Sequence, residues 1–345
     1  MRYHNKSMRI AVAGLGFMGS THLKALKNIP SATLAAVVSS DERKLAGDLS
    51  AIQGNIGGPG EKFDFSNIAR YTTLDAALAD PNIDAIDLCL PTDLHASATI
   101  RALEAGKHVL IEKPMALTAA ECDAMLAAAE RTGRVLMVAQ VLRFFPMYTA
   151  LADQLRSGAL GPVRSALFRR RCAAPAWSKW LTDRDRGGGG VYDLLIHDID
   201  MCLHLFGEPQ AISATGFEDL PQGIDILDAW LHYDSIEGAV TVTGGWHHRK
   251  AYPFSMEYTV ITHGGTLDFS SAGRPPKLYL PDGSEQELTQ SAKDGFEAEL
   301  EHFVACAAAG KQSEICPPHQ SAAAARLALA LVEARKEKGA KIAWR

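Results

Sequence analysis

Met8-Arg9-Ile10-Ala11-Val12-Ala13-Gly14-Leu15-Gly16-Phe17-Met18-Gly19 is the stretch on which the fold turns. Met8–Ala13 is a short apolar run of the kind that forms a buried strand. A Gly-x-Gly-x-x-Gly pattern follows it directly, and a helical pattern runs on from about Gly16 to Asn28. The glycines permit a tight turn, close approach of the backbone to a pyrophosphate, and close packing of helix on strand. The helix N-terminus then aims its free amides at the anion. Gly14, Gly16, Phe17, Met18 and Gly19 are therefore candidate dinucleotide contacts.

Outward from this stretch, strands and helices alternate. Further strands are read at Thr33–Val38, Ala85–Leu90, His108–Ile111 and Val135–Val138. Helices lie at Leu74–Ala79, Ser97–Ala105 and Thr118–Thr132, the last two closed by Gly106 and Gly133. Such alternation predicts a parallel, doubly wound α/β sheet. Gly54–Gly60 interrupts it as a surface loop. After about residue 140 the strands become longer and alternate polar with apolar residues, at Val163–Arg171, Ala211–Gly216, Asp228–Tyr233, Gly238–Gly245, Met256–Thr262, Thr266–Phe269 and Lys277–Leu280. His263-Gly264-Gly265 and Asp282-Gly283 supply hairpin turns, and a helix at about Ser321–Lys338 closes the chain. The expected organisation is a Rossmann domain over 8–140, then an α/β domain over 141–345 with a large, mostly antiparallel open sheet.

The composition fits two ordinary cores: 345 residues, 47% apolar and 22% charged. A net charge of −5 without like-charge blocks points away from nucleic acid and acidic membrane surfaces as partners. Six scattered cysteines with no Cys-x-x-Cys pair read as buried thiols in a reducing compartment, not as a zinc site. Met1–Ser7 lacks an apolar core like that of a signal peptide, and no run approaches the length of a membrane span. A cytoplasmic protein is expected.

The tip of the second strand, where an acid usually takes the adenosine ribose, reads Val38-Ser39-Ser40-Asp41-Glu42-Arg43-Lys44. Hydroxyls at Ser39 and Ser40 with Lys44 behind them suit a 2′-phosphate, which a carboxylate would repel. NADP is expected over NAD, the competing reading being that Asp41 reaches the ribose.

Val191–Phe206 reads as a helix stopped by Gly207 and Pro209. Asp193 and His197 are spaced i, i+4, and Asp200 follows His197 by three, so the three share one face. The preceding run Gly187–Gly190 would let the helix end approach a ligand closely.

Lys107-His108-Val109-Leu110-Ile111-Glu112-Lys113-Pro114, together with Leu90-Pro91-Thr92-Asp93-Leu94-His95 and the opening glycine turn, resembles the glucose–fructose oxidoreductase/inositol dehydrogenase (Gfo/Idh/MocA) family along the whole chain. The resemblance implies an NAD(P)-dependent dehydrogenase or reductase acting on a sugar, sugar derivative or cyclitol, without a metal, assembled as a homodimer or homotetramer. It implies a catalytic trio of Lys113, Asp193 and His197, and cofactor contacts extending to Pro91, Thr92, His95, Glu112 and Lys113. It also places Gln140, Arg143, Tyr148, Arg169, Trp177 and Trp180 where family members contact substrate. Two other readings stand beside it: an NAD-dependent glycosidase working by oxidation, elimination and reduction, and a cofactor-binding sensor without turnover.

Overall fold

A computed structural model of the chain describes residues 7–54, 60–175 and 179–344. The chain divides into two compact units, one running to Val141 and taking back Lys293–Ala322, the other formed by Leu142–Ala292 and the segment from Ala323 onward. The returning segment 293–322, which the sequence placed with the second domain, thus packs in the first.

The first unit alternates β1 (Met8–Ala13), α1 (Phe17–Leu26), β2 (Ala32–Val38), α2 (Glu42–Leu45), β3 (Ala69–Tyr71), α3 (Leu74–Leu78), β4 (Ala85–Leu88), α4 (His95–Glu104), β5 (His108–Glu112), α5 (Ala119–Thr132) and β6 (Leu136–Ala139). The six strands are parallel in the order β3-β2-β1-β4-β5-β6. The short strand β3, which the sequence analysis did not place, forms one edge. Ile10, Ala11 and Val12 of β1 are completely buried, because a central parallel strand is covered on both faces. Helix α5 shows how local sequence sets an end. Thr118 and Glu121 form a reciprocal capping box at its start, and Gly133 terminates it at φ +65°. Since all six strands run the same way, Gly14, Ser39, Pro91, Lys113 and Gln140 follow carboxyl ends along one edge. The strand order reverses between β1 and β4, the switch point where such sheets bind ligands.

The second unit contains α6 (Pro146–Arg156), β7 (Val163–Cys172), α7 (Arg184–Gly187), α8 (Gly190–Phe206), β8 (Ala211–Asp219), β9 (Ile224–His232), β10 (Val240–Trp246), β11 (Ser255–Thr262), β12 (Thr266–Ser270), β13 (Arg274–Tyr279) and β14 (Glu285–Glu287). Helix α9 (Gly295–Ala309) belongs to the returning segment. α10 (Pro318–Ala334) and β15 (Ile342–Ala343) end the chain. The nine strands order as β14-β13-β12-β11-β7-β10-β9-β8-β15, antiparallel except for the β7–β10 pair. Along β7, Ala166, Phe168, Arg170 and Cys172 are buried and alternate with more exposed residues. α8 packs against the buried face through β7, β9 and β10, and the opposite face carries the half-buried and exposed residues that alternate along these strands.

Candidate active site

The glycine turn in the first unit divides its three glycines by function. A Cβ on Gly14, which sits at φ +96°, would lie 2.1 Å from the Cys89 carbonyl oxygen, and one on Gly19 would lie 2.0 Å from the Gly14 oxygen. Only glycine fits either place. At Gly16 a Cβ would meet nothing within 4 Å, so the main chain there faces open space. Gly16 is also the N-cap of α1 and supplies no side-chain cap, which leaves the first-turn amides for an anion. This cradle fits a dinucleotide pyrophosphate, with Phe17 and Met18 half-buried beside it.

At the tip of β2, Asp41 caps α2 by accepting the Arg43 amide at 3.0 Å and the Lys44 amide at 3.3 Å. Ser39 Oγ accepts the Asp41 amide, and Ser40 is exposed. The nearest carboxylate is thus engaged in capping, and the tip offers hydroxyls with Lys44 close by.

The loops after β4 and β5 are joined from beneath. Pro91 and the buried Thr92 enter a 3-10 turn, Thr92–Leu94. His95 is buried with Nδ1 2.8 Å from the Pro114 carbonyl oxygen and Nε2 2.8 Å from that of Leu90. Burial pulls its pKa down, while the two carbonyls act the other way. His95 therefore ties two cofactor-side loops together instead of presenting its ring to a ligand. Glu112 is also turned inward. Its Oε2 accepts the Lys113 amide at 3.1 Å, and its Oε1 lies 3.2 Å from His22 Nε2. Lys113 is half-buried, and its bond to Pro114 is cis. Gln140 follows β6 with both side-chain amide atoms buried and, among the described residues, no hydrogen-bond partner for either. Such a group in a finished fold normally meets a bound ligand or water.

In the second unit, the run before α8 does something other than the sequence suggested. A Cβ on Gly188 would strike the Tyr192 ring at 2.5 Å, one on Gly189 the Asp225 carboxylate at 2.7 Å, and one on Gly190 the Trp246 ring at 2.4 Å. The space that these glycines leave is filled by the protein itself. Asp225 of β9 accepts the Val191 amide at 3.0 Å and is paired with Arg335 at 2.6 Å, so it takes the place of an anion at the helix start.

From Gly190 to Leu203, every residue of α8 is buried except Asp193 and His197. Asp200 departs from the row that its spacing suggested: it is buried and paired with Arg143 through two 2.8 Å hydrogen bonds. Neighbouring Asp198 forms a second buried pair with Arg170 at 2.7 Å. Burial pushes both carboxyls up while each arginine pulls its partner back down. Arg143, with no side-chain exposure, is thereby committed to an ion pair with Asp200. Tyr148 is likewise core, its ring 5.4 Å from that of Tyr258. Arg169 lies on the open face of the sheet, opposite α8, where it pairs with Glu257 at 2.6 Å. Trp180 is half-buried in the turn Lys179–Thr182, and Trp177 lies outside the described residues. The sequence reading missed His22, Asp87, Asp198 and Asp225. A charged residue inside the apolar strand Ala85–Leu88 was the available signal for the first two.

A fully parallel Rossmann sheet with an open glycine turn, followed by an α/β unit with an open, mostly antiparallel sheet, defines a class of NAD-binding oxidoreductase. Residues 8–140 match the family described as "Oxidoreductase family, NAD-binding Rossmann fold", and residues 148–268 match the C-terminal domain of the same family. The chain belongs to the Gfo/Idh/MocA family. Inositol 2-dehydrogenase of Rhizobium meliloti is 28% identical over 349 residues, covering 96% of this chain and 98% of that protein. An oxidoreductase of Rhizobium meliloti is 38% identical over 160 residues, 46% of this chain and 47% of its own length. The 4-carboxy-2-hydroxymuconate-6-semialdehyde dehydrogenase of Sphingobium sp. is 34% identical over 170 residues, 48% of this chain and 49% of its own length. The chain thus spans about half the length of these last two. Levoglucosan dehydrogenase in complex with NADH and levoglucosan shares the fold, with a TM-score of 0.82 over 98% of this chain and 99% of that one at 20% identity.

Proposed function

We propose that the protein transfers a hydride between a nicotinamide dinucleotide, NADP by preference, and a secondary alcohol or ketone of a sugar, sugar derivative or cyclitol. The observation that carries this reading is the exposure pattern of α8: on a helix otherwise buried from Gly190 to Leu203, the two accessible residues are a carboxylate and an imidazole one turn apart. The family and the relatives named for inositol and levoglucosan support the substrate class.

In the oxidation direction, His197 takes the hydroxyl proton as general base, a task suited to imidazole near neutral pH. The Lys113 ammonium holds the reacting oxygen and stabilises the alkoxide charge that develops on it. Asp193 orients the substrate hydroxyl or the imidazole. The nicotinamide ring supplies the hydride acceptor when the cofactor is bound. Gln140, with its buried amide, remains a substrate contact, whereas Arg143 and Arg169 are paired with Asp200 and Glu257. Phe217, Ile261 and Tyr279 are exposed large apolar residues whose register places them on the open sheet face, and we assign homo-oligomerisation, as dimer or tetramer, to that face.

A screen of free sugars and cyclitols with NADP and with NAD, read at the nicotinamide absorbance, tests the reading. Reduced cofactor should accumulate with at least one polyol. Release of a leaving group from glycosides without any accumulation would replace it with the glycosidase reading, and cofactor binding with neither outcome would leave a sensor.

A further inference from the structure

The first unit holds a buried ionic cluster that the proposed chemistry does not use directly. His22 projects from α1 and is fully buried, with Nδ1 2.9 Å from Asp87 Oδ2. Its Nε2 faces Glu112 Oε1 at 3.2 Å, an ion contact off the line of a hydrogen bond. Asp87 is fully buried in β4, and Glu112 is the last residue of β5. A neutral ring that donates from Nδ1 would leave a lone pair on Nε2 beside the Glu112 carboxylate, whereas an imidazolium places positive charge next to both acids. Burial opposes the charged ring, but the Asp87 carboxylate and Cys89 beside it hold the His22 pKa well above the usual histidine range. The groups facing the ring are Asp87 on β4, Cys89 directly after it, Glu112 on β5 and the Phe296 ring on α9, 6.2 Å away.

Three charges in a protein interior are costly, and apolar residues would fill the same volume more cheaply. Two acids and one cation meet here beneath the end of β5, one residue before Lys113. His22, Asp87 and Cys89 also lie close enough to share a metal ion. Burial pushes the Cys89 thiol up, however, which keeps it protonated, and both ring nitrogens already face carboxylates. A positional role accounts for the placement. We propose that His22 is a positioning residue for Lys113: anchored on Asp87, it fixes the Glu112 carboxylate, which in turn fixes the Lys113 main chain through its amide. His95 holds the next residue from the other side, through the Pro114 carbonyl. The significance of this device rests on the proposed role of Lys113, but its existence is testable without a substrate.

The test is amide hydrogen exchange on the full chain, as wild type, His22→Gln, Glu112→Ala and the double variant. The amide at position 113 should exchange roughly 10-fold faster or more in each single variant, while Val12 and Val37 in the central sheet keep their protection. The double variant should be no faster than Glu112→Ala, because the two residues act in series. Wild-type exchange at 113 in His22→Gln would overturn the proposal. Equal acceleration at Val12 and Val37 would also overturn it, since His22 would then be only a core strut. If His22→Gln does not fold, 15N-labelled histidine in the wild-type chain decides the matter: the ring should stay doubly protonated well above the ordinary histidine range, and titration near the ordinary value of about 6.5 would overturn the proposal. Turnover of Lys113→Met is a separate measurement, so loss of the catalytic reading and loss of the positioning reading give different results.

Discussion

Ser39 and Ser40 end β2 with hydroxyls, and Asp41 is tied to the amides of Arg43 and Lys44. Exchanging Ser39 for Asp and Ser40 for Gly should therefore turn preference from NADP toward NAD, because a free carboxylate repels a 2′-phosphate and accepts ribose hydroxyls. Dissociation constants from nicotinamide fluorescence check this, and a wild type that already binds NAD more tightly would refute the NADP assignment. Lys113→Met should lower turnover by roughly 100-fold or more, the contribution of one donor to a developing oxyanion. Cofactor affinity should stay within a few-fold, since the glycine turn and strand tip carry those contacts. His197→Ala should slow the chemical step by roughly 100- to 10,000-fold, the usual share of a positioned acid or base. The acidic limb of the oxidation rate should disappear with it. An unchanged limb in the variant would move the proton to another group.

At the scale of elements, α8 combines two tasks that a helical wheel does not separate. Between Gly190 and Leu203, Asp193 and His197 are its accessible pair, while Asp198 and Asp200 bind Arg170 and Arg143 in the interior. Removing one member of a buried pair leaves the other charged and unsolvated. Asp200→Ala should thus cost about 3–5 kcal/mol in urea unfolding. Replacing Asp200 and Arg143 together by Leu and Met should recover much of that loss. If Asp200→Ala cost no more than an exposed substitution, the Arg143 pair would have no structural role.

For the whole molecule, the cluster around His22 couples the stability of the first unit to pH. The folded pKa of His22 is raised above its unfolded value, so the imidazolium favours the folded state. Its contribution is fully present below the unfolded value of about 6.5 and is lost as pH rises through the raised folded pKa. The stability difference between wild type and His22→Gln should accordingly be largest near pH 6 and shrink under alkaline conditions. A difference that grows with pH would mean that the ring is neutral in the fold. The returning helix α9 takes part in this unit as well, since its Phe296 ring faces His22.

The sequence by itself determined the Rossmann unit and the place of its cofactor cradle, because strand period, glycine spacing and helix stops are local and act over a few residues. β1 falls at Met8–Ala13, as read, and the fixed needs of Gly14 and Gly19 follow from one turn. The sequence also put forward Lys113, Asp193 and His197 as candidates, through the resemblance and through i, i+4 spacing. Only the tertiary structure decided which polar residues are committed elsewhere. Arg143 lies 57 positions before Asp200, and His22 lies 65 before Asp87. No local pattern announces such partners, because desolvation pairs charges by position in space, not by distance along the chain. The same holds for Gly188–Gly190: sequence shows that side chains are missing there, but only packing shows that Tyr192, Asp225 and Trp246 occupy the space.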